Sequence, residues 1–106
     1  GLLAQWRLQE DGGGLRAPGQ SVRLSCRGSG ITFENYYIRW YRQAPGGSLE
    51  WVSLFNSPLG TIQKYGAAVE GRASAFWDSS KFESYLSLWA LQSCDSARYF
   101  CAVHTG

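Results

Sequence analysis

Long apolar runs, helical periodicity, internal repeats and a strong net charge of either sign are all missing from this chain of 106 residues. No stretch approaches the ~20 apolar residues of a membrane-spanning helix. A net charge of +2 is small and scattered, which argues against nucleic acid or an anionic membrane as partner. There is one histidine, His104, and no Gly-rich loop opens a helix, so neither a catalytic base nor a phosphate cradle stands out. Asp78 and Asp95 are the only candidates for a working carboxylate pair. No cofactor and no metal site is expected, and an enzyme is not the reading these residues support.

What is present points to β structure. Thirteen glycines and 15% aromatics suit a turn-rich β protein, and 106 residues make one domain with room for a two-sheet core. Val22-Arg23-Leu24-Ser25-Cys26 alternates apolar with polar, as a half-buried antiparallel strand does, and Tyr85-Leu86-Ser87-Leu88 repeats the pattern. Pro18-Gly19 and Pro45-Gly46-Gly47 read as turns. The expected fold is an all-β sandwich.

The most specific pattern joins Cys26, Trp40 fourteen residues later, and Cys101 preceded by Asp95-Ser96-Ala97-Arg98-Tyr99-Phe100. It resembles the Cys…Trp…Cys signature of immunoglobulin variable domains. The resemblance extends over nearly the whole chain and is closest to the heavy-chain type. Gly12-Gly13-Gly14-Leu15 and Val22 to Cys26 resemble a first framework. Trp40-Tyr41-Arg42-Gln43-Ala44-Pro45-Gly46 with Leu49-Glu50-Trp51-Val52-Ser53 resembles a second, and Gly71-Arg72 through Leu91 a third. Tyr65-Gly66-Ala67-Ala68-Val69 is similar to avian heavy-chain segments.

That resemblance implies a V-type β-sandwich of two antiparallel sheets over residues 5–106, with residues 1–4 a leader, linker or expression remnant. It implies a disulfide between Cys26 and Cys101 with Trp40 packed against it. Tyr99 would form the tyrosine corner, and Arg72 would pair with Asp95 at the base of the sandwich. The final strand, usually marked by an aromatic-Gly-x-Gly motif, is missing. The strand near Tyr99 is therefore expected to show an open edge, filled either by chain that continues or by another chain.

Three segments correspond to the hypervariable loops: about residues 31–39, 54–64, and those after Cys101. Within them Phe33, Asn35, Tyr36, Tyr37, Arg39, Phe55, Asn56, Ser57, Leu59 and His104 are the candidate ligand contacts, with Phe55 to Leu59 at the tip of the second loop. Rigid rings beside adaptable polar groups have the composition of a paratope. Tyr41, Gln43, Leu49, Trp51 and Phe100 are the candidate face for a light-chain-like partner domain. Single-domain antibodies usually replace the counterparts of Leu49 and Trp51.

Two places depart from the pattern. Cys94 is the odd third cysteine, either a free thiol or a bridge to another chain. A zinc site with Cys101 and His104 is the weakest option, because the paired short spacings are missing. In the third framework Ala73, Ala75 and Ser84 fall at inward positions while Phe76, Tyr85 and Trp89 fall outward, with Trp77 and Phe82 near the loop end. Either a bulge turns Phe76 or Trp77 inward, or the outer sheet is a second interface. The resemblance implies an extracellular antigen-recognition domain, secreted or on a plasma-membrane receptor, from an antibody or a T-cell receptor chain. Its ligand would be a protein, a peptide or a presented antigen. An invariant adhesion or co-receptor domain and an accessory receptor-assembly chain are the alternatives.

Overall fold

Alternating apolar residues become strands that share one buried layer. The computed structural model describes residues 7–11, 18–27, 36–57, 61–78, 80–81 and 83–105. Its strands are β1 (Arg7–Asp11), β2 (Val22–Arg27), β3 (Tyr36–Gln43), β4 (Leu49–Ser57), β5 (Gln63–Tyr65), β6 (Ala73–Asp78), β7 (Glu83–Leu88) and β8 (Arg98–Thr105). They form a five-stranded sheet in the order β1-β8-β3-β4-β5 and a three-stranded sheet in the order β2-β7-β6, with every pair antiparallel. Among the described residues the one helical element is a 3-10 turn at Ser93–Asp95. This is the all-β V-type sandwich that the sequence implies.

A disulfide between Cys26 on β2 and Cys101 on β8 ties the two sheets, with Cα atoms 6.2 Å apart. The bridge spans a sequence separation of 75, which in the loop-entropy model restricts the unfolded chain by roughly 4 kcal/mol. Trp40 pairs in register with Cys101 and is 1% exposed. Leu24, Ile38, Val52, Leu86, Leu88 and Val103 complete the centre of the core. The turn at Pro45-Gly46 has a physical cause. The Gly47 N–H donates to Ala44 O at 2.9 Å, and Gly46 takes a φ of +72°, which glycine adopts without a Cβ penalty.

Two expectations are corrected here. The edge of β8 is not open: β1 lies antiparallel along it, from Arg7 opposite Val103 to Asp11 opposite Tyr99. Of the two readings of the third framework, the bulge is not there. β6 and β7 keep an unbroken register from Ala73 opposite Leu88 to Asp78 opposite Glu83. Trp77 shares the parity of Ala73 and Ala75 and packs against the core without any slip. The space left by the small residues is also taken by Tyr65 from the other sheet. Its hydroxyl accepts the Ala75 N–H at 2.8 Å, satisfying a donor on the free edge of β6.

Candidate functional site

Strand register decides which residues meet. On the face of the five-stranded sheet turned away from the core, Tyr41 lies between Phe100 on β8 and Trp51 on β4, and Gln43 lies between Arg98 and Leu49. The five residues expected to meet a partner domain therefore share one face and two adjacent rows. Leu49 is 57% exposed and Trp51 38%, and Tyr41 and Phe100 are half-buried. The next row brings Arg39 between Ala102 and Leu54, with Lys64 beyond on β5.

The same register brings three chain segments to one end. Tyr36, the first residue of β3, pairs with Ser57 at the end of β4 and with Thr105 at the end of β8. The start of β3, the end of β4 and the end of β8 thus lie side by side. Phe33, Asn35 and Leu59 lie outside the described residues, as does Phe82. Tyr36, Ser57 and His104 are strand residues at that end of the sheet. Tyr37 and Arg39 are half-buried on β3, so they belong to the sheet face and not to a loop.

Phe55 and Asn56 need correcting as ligand contacts. β4 runs on to Ser57, and Phe55 sits in register with Ile38 inside the core, 3% exposed. Asn56 is 2% exposed, and its side chain closes the β4–β5 turn. Its Nδ2 donates to Thr61 Oγ1 at 2.9 Å, and its Oδ1 accepts the Ile62 N–H at 2.6 Å. Neither side chain is presented to a ligand. The third segment is corrected too: β8 continues to Thr105, with Ala102 and Val103 buried as strand residues.

The opposite end is closed by charge. Asp95 is 6% exposed in the 3-10 turn. Its Oδ2 accepts Arg72 Nη1 at 2.8 Å and the Gln92 N–H at 2.8 Å, and its Oδ1 accepts Arg72 Nη2 at 3.1 Å. This is a two-pronged guanidinium–carboxylate pair. A second arginine, Arg42, donates from Nη1 to the same Oδ1 at 2.8 Å and from Nε to Glu50 at 2.6 Å. Tyr99 completes the group, its hydroxyl donating to the Asp95 carbonyl at 2.7 Å in the corner expected of it.

Burial works against the charge of Asp95, but its hydrogen bonds to Arg72, the Gln92 N–H and Arg42 outweigh it and hold the carboxyl down at about 2. Burial likewise opposes the Arg42 charge, and Tyr99, Asp95 and Glu50 together raise its affinity for the proton. Sequence reading named Arg72 and Asp95 and passed over Arg42. The signal was there: in β3, Arg42 stands at an inward parity where an unpaired charge would be costly. These groups are mutually satisfied, so the cluster is structural and has no spare acid or base.

Cys94, in the 3-10 turn, is a free and exposed thiol 3.6 Å from Gln92 Oε1. Cys101 is consumed by the disulfide, which removes the zinc option, and no group of metal-ligating side chains forms among the described residues. On the three-stranded sheet, Phe76 and Tyr85 pair directly across strands and stack with centroids 5.1 Å apart. The Arg23 guanidinium covers the Tyr85 ring at 4.6 Å. Tyr85 is thereby 6% exposed although it points away from the core, while Phe76 and Trp89 remain 37% and 41% exposed.

Comparison with known protein families gives a match over residues 14–106 to the model of the immunoglobulin V-set domain. The match takes in the disulfide, the buried tryptophan, the tyrosine corner and the arginine–aspartate cluster.

Proposed function

The chain belongs to the immunoglobulin V-set family, and from that premise we propose that it is an antigen-recognition domain of a lymphocyte receptor, heavy-chain-like in framework. V-set domains are typically non-enzymatic binding modules, they commonly mediate protein–protein contacts, and with a disulfide they are typically extracellular. No helix among the described residues is long and apolar enough to cross a membrane. In this reading the domain stands outside the cell, secreted or on a plasma-membrane receptor. It pairs with a second, light-chain-like variable domain through Tyr41, Gln43, Leu49, Trp51 and Phe100. It binds a protein, peptide or presented antigen at the end where Tyr36, Ser57 and Thr105 meet.

The observation that carries this reading is the exposed pair Leu49 and Trp51, set on the same sheet face as Tyr41 and Phe100. A domain that worked alone would leave that apolar group in water. Sequencing transcripts of this domain from several lymphocyte clones tests the reading. Diversity that begins after Cys101 supports antigen recognition, whereas one fixed sequence overturns it. The second reading, an invariant adhesion or assembly module, is favoured by Phe76 and Trp89 on the other sheet. There, Phe76→Ala and Trp89→Ala remove binding to the cognate cell surface, and Tyr37→Ala leaves it unchanged.

A further inference from the structure

We propose that the edge of β6 is a self-pairing surface that the Tyr65 hydroxyl keeps closed: once that hydroxyl is withdrawn, β6 adds antiparallel to the β6 of a second copy of this chain. The inference does not rest on the pairing reading above. β6 ends the three-stranded sheet, with β7 as its one neighbour among the described residues. The Trp89 N–H donates to Arg72 O at 2.9 Å. In the unbroken register that follows, residues 74, 76 and 78 therefore bond to β7, and residues 73, 75 and 77 turn their backbone groups away from it.

Such an edge is a template for another chain, and proteins blunt it with charge, proline or a bulge. Ala73-Ser74-Ala75-Phe76-Trp77 carries none of the three. What stands there is Tyr65, whose hydroxyl accepts the N–H of Ala75, the middle residue of the five, at 2.8 Å. Tyr65 ends β5 in the other sheet, paired with Ser53, and the residue after it is pinned to β4. The Gly66 N–H donates to Val52 O at 2.7 Å, and a Cβ on Gly66 would meet Trp51 O at 2.8 Å. The hydroxyl thus reaches β6 from a fixed support. The segment also fits a copy of itself. A two-fold axis through Ala75 pairs the Ala75 N–H of each copy with the Ala75 carbonyl of the other. It sets Ala73 against Trp77 and Ser74 against Phe76, so each small residue meets a large one, and Phe76, 37% exposed, gains cover. The central donor of that register is the group Tyr65 already holds.

Sedimentation velocity of Tyr65→Phe and of Tyr65→Leu, each checked for fold by circular dichroism, tests the closure. Both variants should self-associate at least about tenfold more tightly than the wild type, since two hydrogen bonds across Ala75 become available. Adding Ser74→Lys, which sets a charge on the edge beside Phe76 of the second copy, should return them to wild-type behaviour. Adding Trp51→Glu, on the other sheet face, should leave their association unchanged. The Ala75 amide should exchange with solvent slowly in the wild type at every concentration, and in Tyr65→Phe slowly only where the dimer forms. If both variants are as monomeric as the wild type, the proposal is overturned. Association that survives Ser74→Lys, that Trp51→Glu abolishes, or that leaves the Ala75 amide unprotected overturns it equally.

Discussion

Arg42 reaches Asp95 at 2.8 Å, with side chains only 6% and 3% exposed, across a sequence separation of 53. This contact makes Asp95 the shared anion of two arginines, since Arg72 holds it as well. Asp95→Ala should therefore cost about 3–5 kcal/mol, because it leaves Arg42 buried with its charge half compensated. Arg72→Ala should cost less, about 1–2 kcal/mol. Asp95 then keeps Arg42 and the Gln92 N–H, and what is lost on the other side are bonds to the carbonyls of Ala68, Trp89 and Ala90. Urea denaturation of both variants measures the difference, and equal losses would show that Arg42 contributes nothing.

The same carboxylate sets an acid limit. Its pKa falls from 3.8 in the unfolded chain to about 2 in the folded one. A depressed folded pKa stabilises above the unfolded value, and that stabilisation is lost as pH falls through the folded value. The contribution of Asp95 should be complete above about pH 4 and vanish progressively towards pH 2. Urea midpoints from pH 6 down to pH 2 should converge for the wild type and Asp95→Asn. A gap between them that is constant over this range would refute the linkage.

The fold was legible because its markers are local or rigidly spaced. The spacing of Cys26, Trp40, Tyr99 and Cys101 resembles the immunoglobulin variable-domain signature, which implied the two-sheet sandwich, and alternation exposed β2 and β7. Parity within β6 and β7 was readable for the same reason: side chains alternate with period two whatever the neighbours. Strand ends were not readable. Phe55 and Asn56 look like loop residues by composition, yet β4 carries them past the expected boundary, and only cross-strand pairing with Ile38 and Tyr37 reveals it. The partner of β8 was equally hidden, because β1 comes from the far end of the chain and its five residues carry no pattern that names an edge. Arg42 escaped notice since its two acidic partners are remote or exposed, Asp95 in sequence and Glu50 in the structure.

Phe55 and Asn56 supply a direct check of their corrected roles. Phe55→Ala removes a ring from the core and should cost about 3–5 kcal/mol. Asn56→Ala should cost about 1–3 kcal/mol, as the Ile62 N–H loses its acceptor. Thermal or urea unfolding reads both. Near-neutral stability at either position would return that residue to the surface and to ligand contact.

Cys94 should behave as a surface thiol. One thiol per native chain should react with a chromogenic disulfide reagent, and none in Cys94→Ser. Because the side chain is exposed, Cys94→Ser should leave stability within about 0.5 kcal/mol. A thiol that reacts only after denaturation would contradict the exposure.

The outer sheet separates packing from docking. Phe76 stacks on Tyr85, and Arg23 lies over the same ring, so two side chains keep a third from water without any second layer above them. If that shielding is structural, Phe76→Ala should destabilise the isolated domain by about 1–2 kcal/mol, since it uncovers Tyr85 as well as deleting a ring. A double-mutant cycle of Phe76→Ala with Tyr85→Ala should give a coupling of about 0.5–1.5 kcal/mol. Arg23→Ala should cost about 0.5–1 kcal/mol through its lost contact with the ring. Trp89 stands apart from this stack at 41% exposure, and Trp89→Ala should be close to neutral for folding. A Phe76→Ala variant as stable as the wild type, with no coupling to Tyr85, would mean the aromatic pair is not there to cover the sheet. The outer face would then be the surface to test for a binding partner.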